Sequence, residues 1–577
     1  MNNFYITDDL KLRKIYGYKS FWSFEAPIKS MFSTNLGGTE YLLVVVGDKL
    51  YYFLGDEIKD ESNWDDVEPT LIGTIGTRDV SFFTFDKKVY ILSGKYQSWD
   101  GTILEEVEGY TPLVFINTPP AGGGLIYDEI NMLNPKKKQS FNGDGTSTVY
   151  KLAQKGLDEV ISVSVNGNVY REVAIPQFPD EYSVDYANGT ITFNVAPSSG
   201  NDNVEVCWSK DDNDRHLIEN MRFGTIFGGD IDTRVFVYGN QECPNRTYFS
   251  GIADGLPSAE YFPATAQVDI GPSNFTLTDL TRQYDRLLAT TNKPEAYYLT
   301  IGTEQLPVTL GDQQTTRYVP SVSTFPLNEA HGNMALGQGQ LIDNYPVTMD
   351  KNCVTLWKAT NVRDEKNAEN ISQKINLDLE PLNMNAMKTL DFQFKSQLWF
   401  GYNNKIYIYN YLNKTFSRLS LPDTFNCYST LDKFVYMGLN DGRVVKWGEE
   451  FSTFDEQTIR AHWEMNFSDF GTAYLRKTMS KLWVSMQPQG LSSAVIGYTS
   501  NLKESTSTKR IEYKIQALDD VDFSDFSFQI SYNPQPFRLK LKAKKFTNLK
   551  IIIDNEEETD CTILQLSLKV DSFGESK

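Results

Sequence analysis

The chain has 577 residues, with 55 Lys and Arg against 75 Asp and Glu and a formal net charge of −20 at pH 7. That length exceeds what one hydrophobic core serves, so roughly two to four domains are expected. The acidity argues against a protein that grips nucleic acid by its phosphates, which takes clustered Lys and Arg. It leaves room for a conduit past which DNA slides, and for an acidic surface that serves only solubility.

Aromatic residues make up 13% of the chain, with 32 Tyr and 35 Phe. Together with frequent Thr, Val and Ile they favour pleated strands over helices, and an all-β fold is expected. The five cysteines, Cys207, Cys243, Cys353, Cys427 and Cys561, are too scattered for a disulfide ladder or a zinc cluster, and they point to a reducing folding compartment. Residues 1–9 show no basic segment leading into an apolar core, and no run reaches membrane-spanning length, so no signal peptide and no membrane span are expected.

Short aromatic and β-branched runs recur in chain order: KLYYF at 49–53, KVYIL at 88–92, RVFVY at 234–238, RLLAT at 286–290, CVTLW at 353–357, QLWFG at 397–401 and FVYMG at 434–438. Several stand about 40–50 residues apart, the period of a four-stranded propeller blade. The fullest unit spans 234–263, where RVFVY meets Gly239-Asn240, a second strand follows at 247–251, and a turn delivers Tyr261-Phe262-Pro263. Residues 402–405 and 439–443 read as hairpin turns, the latter with Asp441-Gly442. Residues 364–372 are the least strand-like stretch.

The gap between the second and third runs is too long for one blade. It opens on Thr118-Pro119-Pro120-Ala121-Gly122-Gly123-Gly124 and closes on Asp211-Asp212-Asn213-Asp214, and alternating strands between them turn at Asn166-Gly167 and Asn188-Gly189. A small inserted β-sandwich is expected there. After Trp447-Gly448 the strands lengthen, at 481–486, 494–498, 526–532, 538–542, 549–553 and 561–570, with 503–510 read as an exposed loop. The expected organisation is a first part of a β-propeller at 1–125, an inserted β-sandwich at 126–211, the remainder of the propeller at 212–453, and a C-terminal β-sandwich or platform domain at 454–577.

No catalytic, cofactor-binding or metal-binding residues are expected. His216, His331 and His462 have no partner at a recognised metal-ligand spacing and are read as structural. The acidic run at 211–214 lacks the central Gly and bidentate Glu of a calcium loop and reads as a solvated linker. Gly122-Gly123-Gly124 is not followed by the Gly-Lys-Ser/Thr of a phosphate loop. There is no Gly-x-Ser-x-Gly elbow, and the doublets Glu105-Glu106 and Asp519-Asp520 place neighbouring carboxylates on opposite sides of a strand.

Taken as an ordered series, these pieces resemble a virion family, the tail nozzle or tail tubular protein B of short-tailed bacteriophages and the related tail stabilisation proteins. The resemblance runs from the Pro119-to-Gly124 stretch with Asn131-Met132-Leu133-Asn134, through Tyr182-Ser183-Val184-Asp185-Tyr186 of the insertion, to Gly239-Asn240 and Asn245 through Gly251 with Tyr261-Phe262-Pro263. It continues in Ala461-His462-Trp463-Glu464, Asp469-Phe470-Gly471 and Lys477. It implies a non-enzymatic homo-hexamer in the virion tail, made in the host cytoplasm and stacked below the portal and the adaptor or head–tail connector proteins. Such a ring meets tail fibres or other tail proteins, and genomic DNA is ejected through its channel without sequence-specific binding. The alternatives are an extracellular β-propeller that binds or cleaves surface glycan and, third, a cytoplasmic propeller scaffold for other proteins.

Overall fold

The computed structural model describes all residues except 213, 229–232, 311–312, 359–366, 489–490, 502, 515–533, 535 and 576–577. Among them, six antiparallel four-stranded sheets follow one another along the chain. Blade 1 is Ile28–Leu36, Thr39–Val46, Lys49–Leu54 and Thr70–Thr74, and blade 2 is Ser81–Phe85, Lys88–Leu92, Tyr96–Trp99 and Leu104–Glu106. Blade 3 is Phe223–Gly228, Thr233–Tyr238, Arg246–Phe249 and Gln267–Asp269, and blade 4 is Leu277–Gln283, Arg286–Thr291, Ala296–Leu310 and Gln313–Asn328. Blade 5 is Gln340–Ile342, Tyr345–Met349, Val354–Trp357 and Ala368–Asn370, and blade 6 is Lys388–Phe392, Gln397–Tyr402, Lys405–Asn410 and Thr415–Ser420.

Blade 7 takes three strands from Phe425–Leu431, Phe434–Leu439 and Arg443–Gly448, and its fourth, Gly17–Ser23, from the other end of the chain. The first strand of each blade touches the first strands of its two neighbours, and blade 7 meets blade 1. The blades therefore stand in a closed ring, a seven-bladed β-propeller, and each of the seven recurring sequence runs falls in a different blade.

Period-two alternation explains why a blade needs two neighbours. Leu42, Leu43, Val44 and Val45 are all fully buried. Leu42 and Val44 pack with Tyr436 and Val444 of blade 7, whereas Leu43 and Val45 pack with Val89, Ile91 and Trp99 of blade 2. A strand apolar on both faces is stable only between two sheets. At the seam, Gly17 lies so close to the backbone of Thr453 that a Cβ there would overlap the Thr453 carbonyl, which restricts the position to glycine.

The inserted sandwich begins before the expected boundary at 126. Leu113–Thr118 already pairs with Lys136–Gly143, which joins Gly200–Ser209 and Glu159–Val165 in one sheet. The facing sheet is Val149–Lys151, Thr190–Phe193, Glu181–Asp185 and Arg171–Glu172, and Phe115, Phe141, Tyr150, Val163 and Trp208 fill the space between them. Gly122, Gly123 and Gly124 lie inside this domain as the turn between Leu113–Thr118 and Leu125–Ile126, all at positive φ. The Asn131-Met132-Leu133 stretch leaves the sandwich and returns to the propeller. Met132 and Leu133 pack with Tyr90, Tyr248 and Phe262 of blades 2 and 3, and Asn131 Nδ2 donates to the carbonyls of Tyr110 at 2.8 Å and Glu260 at 2.9 Å.

The terminal unit is also a sandwich, and the first residues of the chain belong to it instead of opening the propeller. One sheet contains Phe4–Ile6, Leu12–Lys14, Thr562–Glu575, Leu475–Met486 and Pro536–Leu539, and the other Ala461–Glu464, Leu549–Asn555, Leu491–Ser500 and Lys503–Lys514. Met479, Leu482, Val484, Ile496, Ile551 and Ile553 are fully buried between them. Two expectations change. Residues 503–510 form a strand paired with Leu491–Ser500 instead of a loop, because that hairpin supplies backbone partners whatever the side-chain polarity. Ala368–Asn370, inside the stretch read as least strand-like, is the outer strand of blade 5, an edge position that tolerates polar residues. The strand expected at 526–532 lies outside the described residues.

Candidate functional site

The starts of the seven innermost strands converge on the propeller axis and enclose a channel of about 1380 Å³. Its walls mix polar and apolar side chains where the blade interiors are apolar, as expected of first strands that face solvent on one side only. Five cations line it, Lys29, Arg78, Arg222, Arg282 and Lys388, against two carboxylates, Asp79 and Asp279. A chain with a large negative charge thus turns a locally basic surface toward its axis.

The pairing inside the channel is incomplete. Arg222 forms an ion pair with Asp79, and burial lowers the pKa of its guanidinium. Arg78 Nη1 donates to Asn220 Oδ1 at 2.6 Å. Lys29 and Lys388 have no carboxylate within ion-pair distance among the described residues, so their charges remain available to a ligand. Asp279 is almost fully buried and accepts from Tyr238 Oη at 2.8 Å and Thr281 Oγ1 at 2.7 Å. Its pKa is raised because burial disfavours the carboxylate more than those hydrogen bonds favour it. The Cys427 thiol at the channel wall is pushed up by burial to about 12, so it stays protonated and is a poor nucleophile. The lining residues include no histidine, and no activated nucleophile stands beside a base. The arrangement suits electrostatic attraction of an anion.

Two smaller hollows lie elsewhere. One of about 400 Å³ sits between blades 6 and 7 and the N-terminal segment, walled by Tyr5, Tyr16, Phe394, Trp399 and Trp447. The other, about 380 Å³, lies where the insertion joins the propeller and includes Asp212 and His216. There the acidic run expected to be a solvated linker does structural work: Asp212 Oδ2 accepts at 2.7 Å from the fully buried ammonium of Lys137, which also donates to the Lys210 carbonyl at 2.8 Å. Asn213 is outside the described residues.

Each histidine has an acidic neighbour. His216 Nε2 lies 3.3 Å from Glu242 Oε2, and His462 Nδ1 lies 2.6 Å from Asp554 Oδ1. His331 Nδ1 lies 3.2 Å from Asp350 Oδ2, and Cys353 completes a group whose ligand atoms are all within 4.8 Å of one another. Sequence spacing did not reveal that group, because the fold alone brings His331 to the turn that carries Asp350 and Cys353. Lys477, one of the residues in the resemblance, is fully buried and gives its ammonium to the backbone carbonyls of Thr472, Leu475 and Thr547. It holds the loop that contains Asp469-Phe470-Gly471.

No protein-family model matches the chain, and no curated protein matches it. Among solved structures it is similar to BamB from Moraxella catarrhalis, at 7% identity over 76% of this chain and 92% of that one, with a TM-score of 0.32. It is similar to virginiamycin B lyase from Staphylococcus aureus, at 8% identity over 75% and 99%, TM-score 0.35, and to the Dos1 propeller, at 10% identity over 77% and 97%, TM-score 0.32. The propeller is defined by its strand order and closed ring. Among the described residues no helix is long and apolar enough to cross a membrane.

Proposed function

We propose that this protein is a virion structural component, the hexameric tail nozzle of a short-tailed bacteriophage, forming the channel below portal and adaptor through which DNA is ejected. One structural observation carries the reading beyond the resemblance. The two outer strands of blade 4, Ala296–Leu310 and Gln313–Asn328, pair with each other along their whole length, from Ala296↔Asn328 to Leu310↔Gln313. Only Ala296–Leu299 pairs with the rest of the blade. From Gly302 onward the two strands form a ribbon with no third strand among the described residues, reaching roughly 30 Å at the usual rise per residue. A lone two-stranded ribbon is marginally stable in water, and an arm of this kind gains stability by lying on a neighbouring subunit. A head-to-tail contact of that sort closes into a ring when its rotation divides the circle.

Six copies would bring roughly −120 charges to the assembly, from −20 on each chain, which is favourable to a duplex that must pass without sticking. The experiment is quantitative mass spectrometry of purified phage particles, comparing this chain with the portal subunit. A ratio of about one to two supports a closed hexameric tail ring, and absence from particles overturns the reading. The basic axial channel favours one other function, a secreted propeller that holds an acidic glycan over its mouth. Binding of a sulfated or uronic-acid glycan by the free protein, lost in Lys29→Glu with Lys388→Glu, would support that alternative.

A further inference from the structure

We propose that His331, Asp350 and Cys353 form a binding site for a zinc-class divalent cation on the blade 5 hairpin. Asp350 and Cys353 follow and precede the paired residues Met349 and Val354, and Asp350 N donates to the Cys353 carbonyl at 2.9 Å. They therefore occupy directly opposed positions across the turn, where side chains share one face of the sheet. His331 arrives from the connection between blades 4 and 5.

That connection is fixed before any ion binds. Asn328 Oδ1 accepts from the backbone of Ala330 at 2.7 Å and of His331 at 3.0 Å. Thr348 Oγ1 donates to the Gly332 carbonyl at 3.1 Å, and Asn333 Oδ1 accepts from Met349 N at 3.1 Å. The segment on either side of His331 is thus tied to the hairpin that carries the other two groups. The second oxygen of Asp350 accepts from Lys351 N at 2.7 Å, which turns the first toward His331. Backing of the ligands by such outer hydrogen bonds is what orients and tunes a metal site.

The donor set selects the ion. A thiolate with an imidazole suits zinc and its chemical neighbours, while magnesium and calcium take oxygen ligands. Cys353 forms the buried floor of the site at 5% exposure, and the side chains of His331 and Asp350 are 28% and 18% exposed. A cation enters from the solvent side and keeps a fourth position for water, as in three-ligand zinc sites. Binding releases the thiol proton to solvent and forms bonds to sulfur, nitrogen and oxygen, with no redox change. The ion would tie the blade 4 to blade 5 connection to the turn beside it.

The test is cobalt titration of the chelator-treated full chain, followed by zinc displacement. We expect one equivalent of cobalt with a near-ultraviolet thiolate charge-transfer band and intense visible ligand-field bands, both abolished by zinc. Cys353→Ser should lose the charge-transfer band, and His331→Gln should weaken zinc binding roughly 10- to 100-fold or more, on the scale by which even outer-shell changes act. The proposal fails if the unaltered protein shows no charge-transfer band, or if the band survives in Cys353→Ser. Should Cys353→Ser not fold, Asp350→Asn on the turn decides the matter: unchanged cobalt affinity overturns the site, and affinity lowered by a similar factor supports it.

Discussion

At the scale of single residues, two buried ionisable groups have opposite consequences for stability. Asp279 has a raised pKa from burial, so between its unfolded and folded values the native state holds the extra proton and stability falls as pH rises. Asp279→Asn keeps an acceptor for Tyr238 and removes the charge. The variant should be more stable than the parent at pH 7, with the gap closing as the solution is acidified below the ordinary Asp range. Chemical denaturation at several pH values reads this, and a less stable variant at pH 7 would refute it. Lys14 is 5% exposed, donates to Asn555 Oδ1 at 2.7 Å and to the carbonyls of Glu557 at 2.6 Å and Thr559 at 3.2 Å, and has a pKa lowered by burial to about 8. Above that value the unfolded chain retains a proton that the native chain has released, so stability rises between about pH 8 and 10.5. The full gain is on the order of 3 kcal/mol. Lys14→Met lacks this gain, so the parent's stability relative to the variant should increase across the same interval; parallel profiles would exclude the account.

At the scale of elements, the inserted sandwich is separable at a particular place. Lys210 N donates to the Pro135 carbonyl at 3.0 Å, so excising 136–209 and joining Pro135 to Lys210 leaves adjacent chain ends. Leu113–Thr118 loses its sheet partner, so Val114 and Phe115, buried in the sandwich core, are replaced by Ser in this deletion and in that of 126–211. Excision of 126–211 removes Met132 and Leu133, which are 7% and 0% exposed among the residues of blades 2 and 3. Losing either large apolar side chain costs about 2–5 kcal/mol, so the wider deletion should melt well below the narrower one, and equal melting temperatures would refute the role given to that stretch. The blade 4 ribbon invites a parallel test. Gly302 pairs with Ser321, and replacing 303–320 by Asn-Gly keeps the pairing of Ala296–Leu299 with its blade. The shortened chain should melt like the parent and fail to self-associate in sedimentation; unimpaired assembly would remove the ribbon from the interface. The blade repeat was legible, though not the number of blades, because each blade contains one short apolar run, a local property. The channel was not, since its lining comes a few residues at a time from the starts of seven strands. Nor was the outer strand of blade 7, whose residues GYKSFWS at 17–23 say nothing of a partner at the far end of the propeller. His331 was missed as a neighbour of Asp350 and Cys353 because only the packing of a connection on a hairpin unites them.

At the scale of the whole molecule, the first 23 residues complete the propeller and join it to the terminal sandwich. Leu12–Lys14 pairs with the last long strand of the terminal sandwich, and Gly17–Ser23 completes blade 7. Between propeller and sandwich, Asn3 N donates to the Arg418 carbonyl at 2.8 Å, Asn3 Nδ2 to the Arg460 carbonyl at 2.9 Å, and Ser420 N to Asn3 Oδ1 at 2.8 Å. One short segment thus closes the ring of blades and couples that ring to the sandwich. Ring closure by the first and last strands of the propeller converts seven adjacent sheets into one cooperative structure, because each blade depends on both neighbours for burial of its faces. Removing residues 1–15 leaves Gly17–Ser23 in place and takes away the sandwich edge and the Asn3 bonds, so the propeller should stay closed while its melting separates from that of the sandwich. Removing residues 1–24 also opens blade 7 and should abolish the cooperative propeller transition. Calorimetry distinguishes these outcomes: two resolved transitions for the shorter truncation, and loss of the larger one for the longer. A single unchanged transition in both would show that the propeller closes by its own blades and that the N-terminal strand only decorates the seam.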